Sequence, residues 1–270
     1  MPFEKIYKNA EKEHHTMKKM LLAACIISLI ALLTGSAFAV RPPLVTDEAN
    51  TIGKGNGELE FNAEYAYDSH EGVTAKETVI EPKLTYGLGE NVDLSLAAPY
   101  KFIKITGEED FSSDGLADLS LNLKWRFYEE HGLSFAIRPG ITIPTGDHDK
   151  DLGAGKMTYS VFLLGTKEAK PWAFHANLGY LRNANDAEAR KDLLFASMAA
   201  EVEVAEHLEL VADLGIHTNP DKASDNHPAY ILGGLIYSVS KDIDIDFGIK
   251  GGLTETEPDY TILAGIKLKF

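Results

Sequence analysis

Charged side chains recur at every second position through much of this sequence, and that spacing decides what chemistry they can do. Glu60, Glu64, Glu81, Lys83, Asp118, Lys124, Arg126, Arg138, His175, Glu201, Asp213, Asp246, Lys250 and Lys267 each stand between apolar or small neighbours. In a strand, successive side chains point to opposite faces, so these groups are expected on one face and their neighbours on the other. On the inner wall of a closed sheet, ions of both signs pair, because an unpaired ion away from water is costly. The fourteen are therefore read as lining a lumen, as a salt-bridge network or as a narrow polar path. An excess of carboxylates along such a path disfavours anions.

Other constellations carry less. Outer-membrane phospholipases use a Ser and a His as nucleophile and base, and these must face each other. His175, in WAFHANLGY, is followed by Asn177 where such an enzyme carries a serine, and His217 leads into Asn219 and Pro220. Asp147, Asp149 and Asp151 alternate in TGDHDKDLGAG, but the twelfth position of that loop is Thr158, where a calcium loop of the EF-hand type needs a bidentate Glu. The one cysteine, Cys25, excludes a disulfide framework and a Cys-based zinc site. No Gly-rich phosphate cradle occurs. No catalytic, cofactor-binding or metal-ligating residue is assigned, no cofactor is expected, and the chain is read as no enzyme.

The elements that must position the charges are strands. LADLSLNLKWRF places Ala117, Leu119, Leu121, Leu123, Trp125 and Phe127 on one face and Asp118, Ser120, Asn122, Lys124 and Arg126 on the other. The same alternation begins at Gly57 and returns over 80–88, 92–102, 133–143, 157–165, 172–180, 194–204, 208–216, 229–239, 243–249 and 260–270. That makes about twelve strands, near the length that crosses a bilayer at a tilt. Links alternate between short (87–91, 128–132, 166–171, 205–207, 240–242) and long (68–78, 104–115, 144–156, 182–192, 218–228). Aromatic residues gather toward strand ends, as an interfacial girdle would place them. The expected fold is all-β: a transmembrane antiparallel up-and-down barrel spanning 57–270.

Composition agrees once alternation is allowed for. With 26 Lys plus Arg against 41 Asp plus Glu, the net charge of -15 argues against nucleic acid as a partner. A mean hydropathy of -0.14 excludes a multi-pass helical membrane protein but not a barrel, in which apolar and polar faces average out. Residues 17–39, MKKMLLAACIISLIALLTGSAFA, have the basic start, apolar centre and A-x-A ending of a secretory signal. Residues 1–16 are read as an upstream extension, and 40–56, with Pro42 and Pro43, as a periplasmic lead or a lumen plug. The last strand, YTILAGIKLKF, ends on Phe270 in the manner that barrel-assembly machinery reads. Outer-membrane lipid, that machinery and a small-molecule cargo are thus the expected partners.

RPPLVTDEANTIGKGNGELEF, SDGLADLSLNLKWRF, RPGITIPTGDHDKDLGAG and the stretch from YILGGLIYSVS to the end resemble the family of the meta-pathway of phenol degradation. The resemblance implies a bacterial outer-membrane protein passing small aromatic or other hydrophobic molecules. It brings no catalytic residues. The expected function is a channel or facilitator for such molecules. A plugged structural or surface barrel and a lipid-modifying barrel enzyme are the alternatives.

Overall fold

The computed structural model describes residues 42–70, 72–107, 109–184 and 189–270. The expected leader, 17–39, and the expected upstream extension, 1–16, lie outside them. Fourteen strand segments follow in order: β1 (Gly57–His70), β2 (Val73–Gly89), β3 (Val92–Ala97), β4 (Tyr100–Thr106), β5 (Phe111–Leu116), β6 (Leu119–Glu130), β7 (Leu133–Ile143), β8 (Thr158–Ala169), β9 (Trp172–Arg182), β10 (Asp192–Ala205), β11 (Leu208–His217), β12 (Ala229–Ser240), β13 (Ile243–Gly252) and β14 (Tyr260–Lys269). They form twelve barrel strands. Both β3 and β4 pair with β2, and their own outer neighbours β6 and β5 run alongside, so each pair is one strand with a break.

All pairings are antiparallel and join neighbours in sequence, and β1 also pairs with β14, which closes the barrel. Closure ends on two mutual bonds, Gly57 N–H to the Phe270 carbonyl at 2.7 Å and Phe270 N–H to the Gly57 carbonyl at 2.9 Å. The Phe270 ring lies where a Cβ on residue 57 would be. Gly57→Val is therefore expected to open the β1–β14 seam. In heat-modifiable electrophoresis the folded band should be lost at a lower temperature than in the parent, while Gly251→Ala, which meets nothing, should leave it unchanged.

The short links are two-residue turns. At His131-Gly132 both φ values are positive, 51° and 72°, the handedness that matches the twist of the flanking strands. At the opposite end, the loop 144–157 folds back over the mouth. Leu152 packs among Val73, Ala75, Ile103 and Ile105, and the Asp118 carboxylate accepts from the N–H groups of Gly146 (2.9 Å) and Ala154 (2.8 Å).

Three expectations need correction. The strand expected over 92–102 is interrupted at Ala98-Pro99, since proline has no N–H for the ladder. The Pro99 carbonyl instead accepts from Ala117 at 2.8 Å, which carries the break into the next strand. Ala117, expected to face outward with Leu119, is consequently buried. The links expected over 68–78 and 104–115 are mostly strand. Their hairpins continue beyond the apolar belt with small and polar residues, whose alternation has little hydrophobic contrast.

An apolar belt runs around the outer surface: Leu178, Leu194, Ile231 and Ile249 are each more than half exposed. Two aromatic bands flank this belt. One, beside the short turns, contains Trp125, Phe127, Phe135, Trp172 and Phe174, with Trp172 stacked on Phe174 at 6.0 Å. The other, beside the long loops, contains Tyr65, Tyr67, Tyr260, Tyr100 and Phe102. Such an exterior is matched to hydrocarbon with an interface on each side.

Candidate functional site: the lumen and its inserted segment

Every inward-pointing position contributes to one interior, and two devices fill it. The first is a wall of ion pairs on β13, β14, β1 and β2. In one row of the sheet Asp244, Lys267, Glu60 and Lys83 alternate in sign across adjacent strands. Lys267 lies 3.0 Å from Glu60 and 3.5 Å from Glu58, Lys83 pairs with Glu60, and Lys269 lies 2.6 Å from Asp244. Ions this close satisfy each other where water is scarce. Nearer the long loops, Lys250 meets Glu257 at 2.8 Å and Lys101 stands 3.8 Å from Glu77.

The second device is the chain itself. Residues 42–56 run inside the barrel from its midsection to the short-turn end, and polar wall residues hold them. The Asp213 carboxylate accepts from Val45 N–H and Thr46 N–H, both at 2.7 Å, from the Thr46 hydroxyl at 2.8 Å and from the Tyr230 hydroxyl at 3.2 Å. Asp47 is only 1% exposed and bridges two cations, Arg138 at 2.9 Å and Lys124 at 2.9 Å. Lys124 also donates to the Glu48 carbonyl at 2.9 Å. With its amide turned so that nitrogen faces the Asp47 carbonyl, Asn177 brackets the Asp47 backbone at 2.6 and 2.9 Å. Ala49 N–H donates to Thr166 Oγ1 at 2.8 Å.

Small residues make room for the inserted segment. A Cβ at Gly234 or Gly248 would stand 2.8 Å from Pro43, and one at Gly87 would overlap the Gly53 carbonyl. Apolar contacts complete the fit. Leu44 packs with Ala199, Val211, Tyr230, Leu232, Ile236 and Leu263, and Ala49 with Ala136, Phe162 and Leu164.

Of the residues singled out from sequence, Lys124, Arg138 and Asp213 grip the inserted segment directly. His175 does so through Thr166, whose hydroxyl is 2.9 Å from His175 Nδ1, with Glu201 3.6 Å from the other ring nitrogen. That hydroxyl faces Ala49 and the imidazole inside a buried wall, and the arrangement offers no open nucleophile. Glu60, Lys83 and Lys267 belong to the ion-pair wall, and Glu64, Glu81, Asp246 and Lys250 line a cavity beside Pro42 and Pro43. Asp118 is the anchor of the 144–157 loop. Arg126 lies at the short-turn rim, with Glu129 at 2.9 Å and the Glu90 carbonyl at 3.3 Å. Asp147 caps a single turn over His148–Lys150, accepting from Asp149 N–H at 3.1 Å.

Sequence reasoning missed the apolar part of the lumen. Phe162, Leu164, Leu193, Tyr230, Leu232 and Leu263 point inward, and all are buried. The signal was there in the unbroken apolar runs VFLLG and YILGGLIY, in which both faces are apolar. The cavity, of about 140 Å³, is bounded by such residues on one side and by Glu64, Glu81, Asp246 and Asn62 on the other. That volume is close to the ~150 Å³ that admits one benzene ring.

A family model described as "Putative MetA-pathway of phenol degradation" matches residues 41–270. No curated protein matches the chain by sequence. Among solved structures, an outer-membrane channel from Pseudomonas putida F1 superimposes with a TM-score of 0.67 at 14% identity, over 86% of this chain and 100% of the other. The NanC porin gives 0.54 at 10% identity over 78% and 100%. The β domain of the Bordetella autotransporter BrkA gives 0.54 at 13% identity over 80% and 100%. A channel, a porin and an autotransporter domain share this fold, so the fold alone does not choose between passage of solutes and export of a chain.

Proposed function

We propose that this chain, which belongs to the MetA-pathway of phenol degradation family, is a bacterial outer-membrane channel for small molecules, with residues 42–56 as its constriction. The supporting observation is the lumen, whose wall is part charged and part apolar, which keeps a cavity of about 140 Å³, and which is narrowed by a segment held through hydrogen bonds and ion pairs rather than by a folded domain. Contacts of that kind exchange with water when the segment shifts, so a path can open without unfolding the wall. The apolar inner residues favour cargo with an apolar or aromatic body. The alternating ion pairs along β13, β14, β1 and β2 stiffen the wall beside the path.

The same reading covers the parts of the chain outside the barrel. Residues 17–39 serve as the secretory leader, 1–16 as an extension ahead of it, and the β14 strand with Phe270 as the element that the assembly machinery engages. Lipid covers the apolar belt.

Carboxylates outnumber cations on the cavity wall, and this sets a sign for ion passage. In planar bilayers under a salt gradient, the purified protein is expected to conduct with a reversal potential that favours cations. Proteoliposomes should also take up small neutral aromatics faster than protein-free vesicles. A protein that neither conducts nor speeds uptake would overturn the proposal, and an anion-favouring potential would overturn the assignment of the carboxylate-rich path.

A further inference from the structure

Three carboxylates on the wall of the cavity beside Pro42, those of Glu64, Glu81 and Asp246, stand outside the ion pairs of the neighbouring rows. Asp246, Gly265, Asn62 and Glu81 lie in one row across β13, β14, β1 and β2, one step from the balanced row that contains Lys267 and Glu60. Glu64 follows on β1. The neighbouring lysines are already engaged: Lys83 and Lys267 with Glu60, Lys269 with Asp244, Lys250 with Glu257.

Asp246 supplies the second observation. Its side chain is more than nine-tenths buried and lines the cavity, and its Oδ1 has no hydrogen-bond partner. Asn62 Oδ1, across Gly265, has none either. A Cβ at position 265 would overlap Asp246 Oδ2 and lie 2.9 Å from Asn62 Oδ1, so the missing side chain is what lets both groups lie against the β14 backbone on the cavity wall. A buried acceptor left unmatched is costly, and here two such acceptors belong to residues on one cavity wall.

We infer that this row is a binding site for a primary ammonium carried on an aromatic or apolar body about one ring in size. The ammonium brings three donors to Asp246, Asn62 and the nearby Glu81, and the ring lies against Leu44, Phe195 and Leu263. A metal ion fits less well, because among the described residues no three His, Cys, Asp or Glu side chains converge as a metal site requires. The inference rests on the channel reading for the route to the cavity and deepens it by naming a ligand class.

The test is calorimetric titration of the leader-processed protein in detergent with 2-phenylethylammonium chloride, beside 2-phenylethanol, which has the same body without the charge. Saturable binding of the ammonium, at least tenfold tighter than the alcohol, is expected. Asp246→Asn should weaken it at least tenfold, and Asp242→Asn, at an exposed turn, should not. If Asp246→Asn does not fold, Gly265→Ala, whose methyl group would displace the Asp246 carboxylate, should give the same loss. Equal affinity for the alcohol, an unaffected Asp246→Asn or Gly265→Ala, or displacement of the amine by millimolar calcium would overturn the site. Absence of ammonium binding in a protein whose proteoliposomes still pass neutral aromatics removes this site alone, whereas loss of both removes the channel reading as well.

Discussion

Asp47→Ala is expected to raise single-channel conductance several-fold while leaving the barrel folded. The carboxylate is buried between Arg138 and Lys124, each 2.9 Å away. Removing one partner of a buried ion pair leaves an uncompensated charge and costs about 3–5 kcal/mol. Here two cations lose their partner, and they regain hydration only if the 42–56 segment moves aside and admits water. A cost of that size shifts the seated-to-released balance by a factor on the order of 100 or more. The wall is held by its own closed ladder and is not asked to change. Heat-modifiable mobility should therefore stay near that of the parent, while trypsin or a thiol reagent aimed at a cysteine introduced at Ala49 gains access. Unchanged conductance with unchanged access would mean that Asp47 does not hold the segment. Arg138→Ala is expected to act in the same direction.

Leu178→Arg is expected to prevent stable insertion. Leu178 sits at the middle of β9, 62% exposed on the outer face, with Leu163 and Ala196 as its cross-strand neighbours. An arginine at the midplane of an outer-membrane barrel costs about 2–4 kcal/mol, falling toward zero near the interfaces. The fraction folded in phospholipid vesicles, read by heat-modifiable mobility across a urea series, should drop sharply. Asp225→Arg, in the exposed link 218–228, should behave like the parent. An undisturbed Leu178→Arg protein would place this face against something other than hydrocarbon.

The barrel was legible because its lipid-facing residues are large and strictly alternating. Leu119, Leu121, Leu123, Trp125 and Phe127 in β6 announce both the strand and its orientation. Legibility failed where contrast vanished. In VTAKET, small and charged residues alternate without an apolar phase, so the start of β2 read as a link. In VFLLG and YILGGLIY both phases are apolar, so Phe162, Leu164, Tyr230 and Leu232 were not recognised as lumen residues. The inserted segment was hidden for a different reason. Its buried ionic and hydroxyl contacts join residues more than seventy positions apart, Asp47 to Lys124 and Arg138, and Thr46 to Asp213. A local pattern carries no information about such partners, and Pro42-Pro43 signalled only that no regular strand begins there. The division of the inward charges into an ion-pair wall, an anchor for the inserted segment and a row of carboxylates outside those pairs needed the register across strands. Gly265 is the sharpest case, since its missing side chain is what lets Asp246 and Asn62 lie against the strand backbone.

If solutes pass where residues 42–56 sit, the segment must move to admit them. Ala49 N–H is 2.8 Å from Thr166 Oγ1, which places these two positions within the roughly 4.4–6.8 Å between Cα atoms that a disulfide spans. Ala49→Cys with Thr166→Cys, made in a chain that starts at Val40, should therefore tether the segment to the wall when oxidised and release it when reduced. Uptake of a small aromatic solute by proteoliposomes is expected to fall on oxidation and to recover with dithiothreitol, each single-cysteine variant being indifferent to both. Equal uptake in the two states, with the disulfide verified by mass spectrometry, would contradict the account by showing that passage does not require the segment to move.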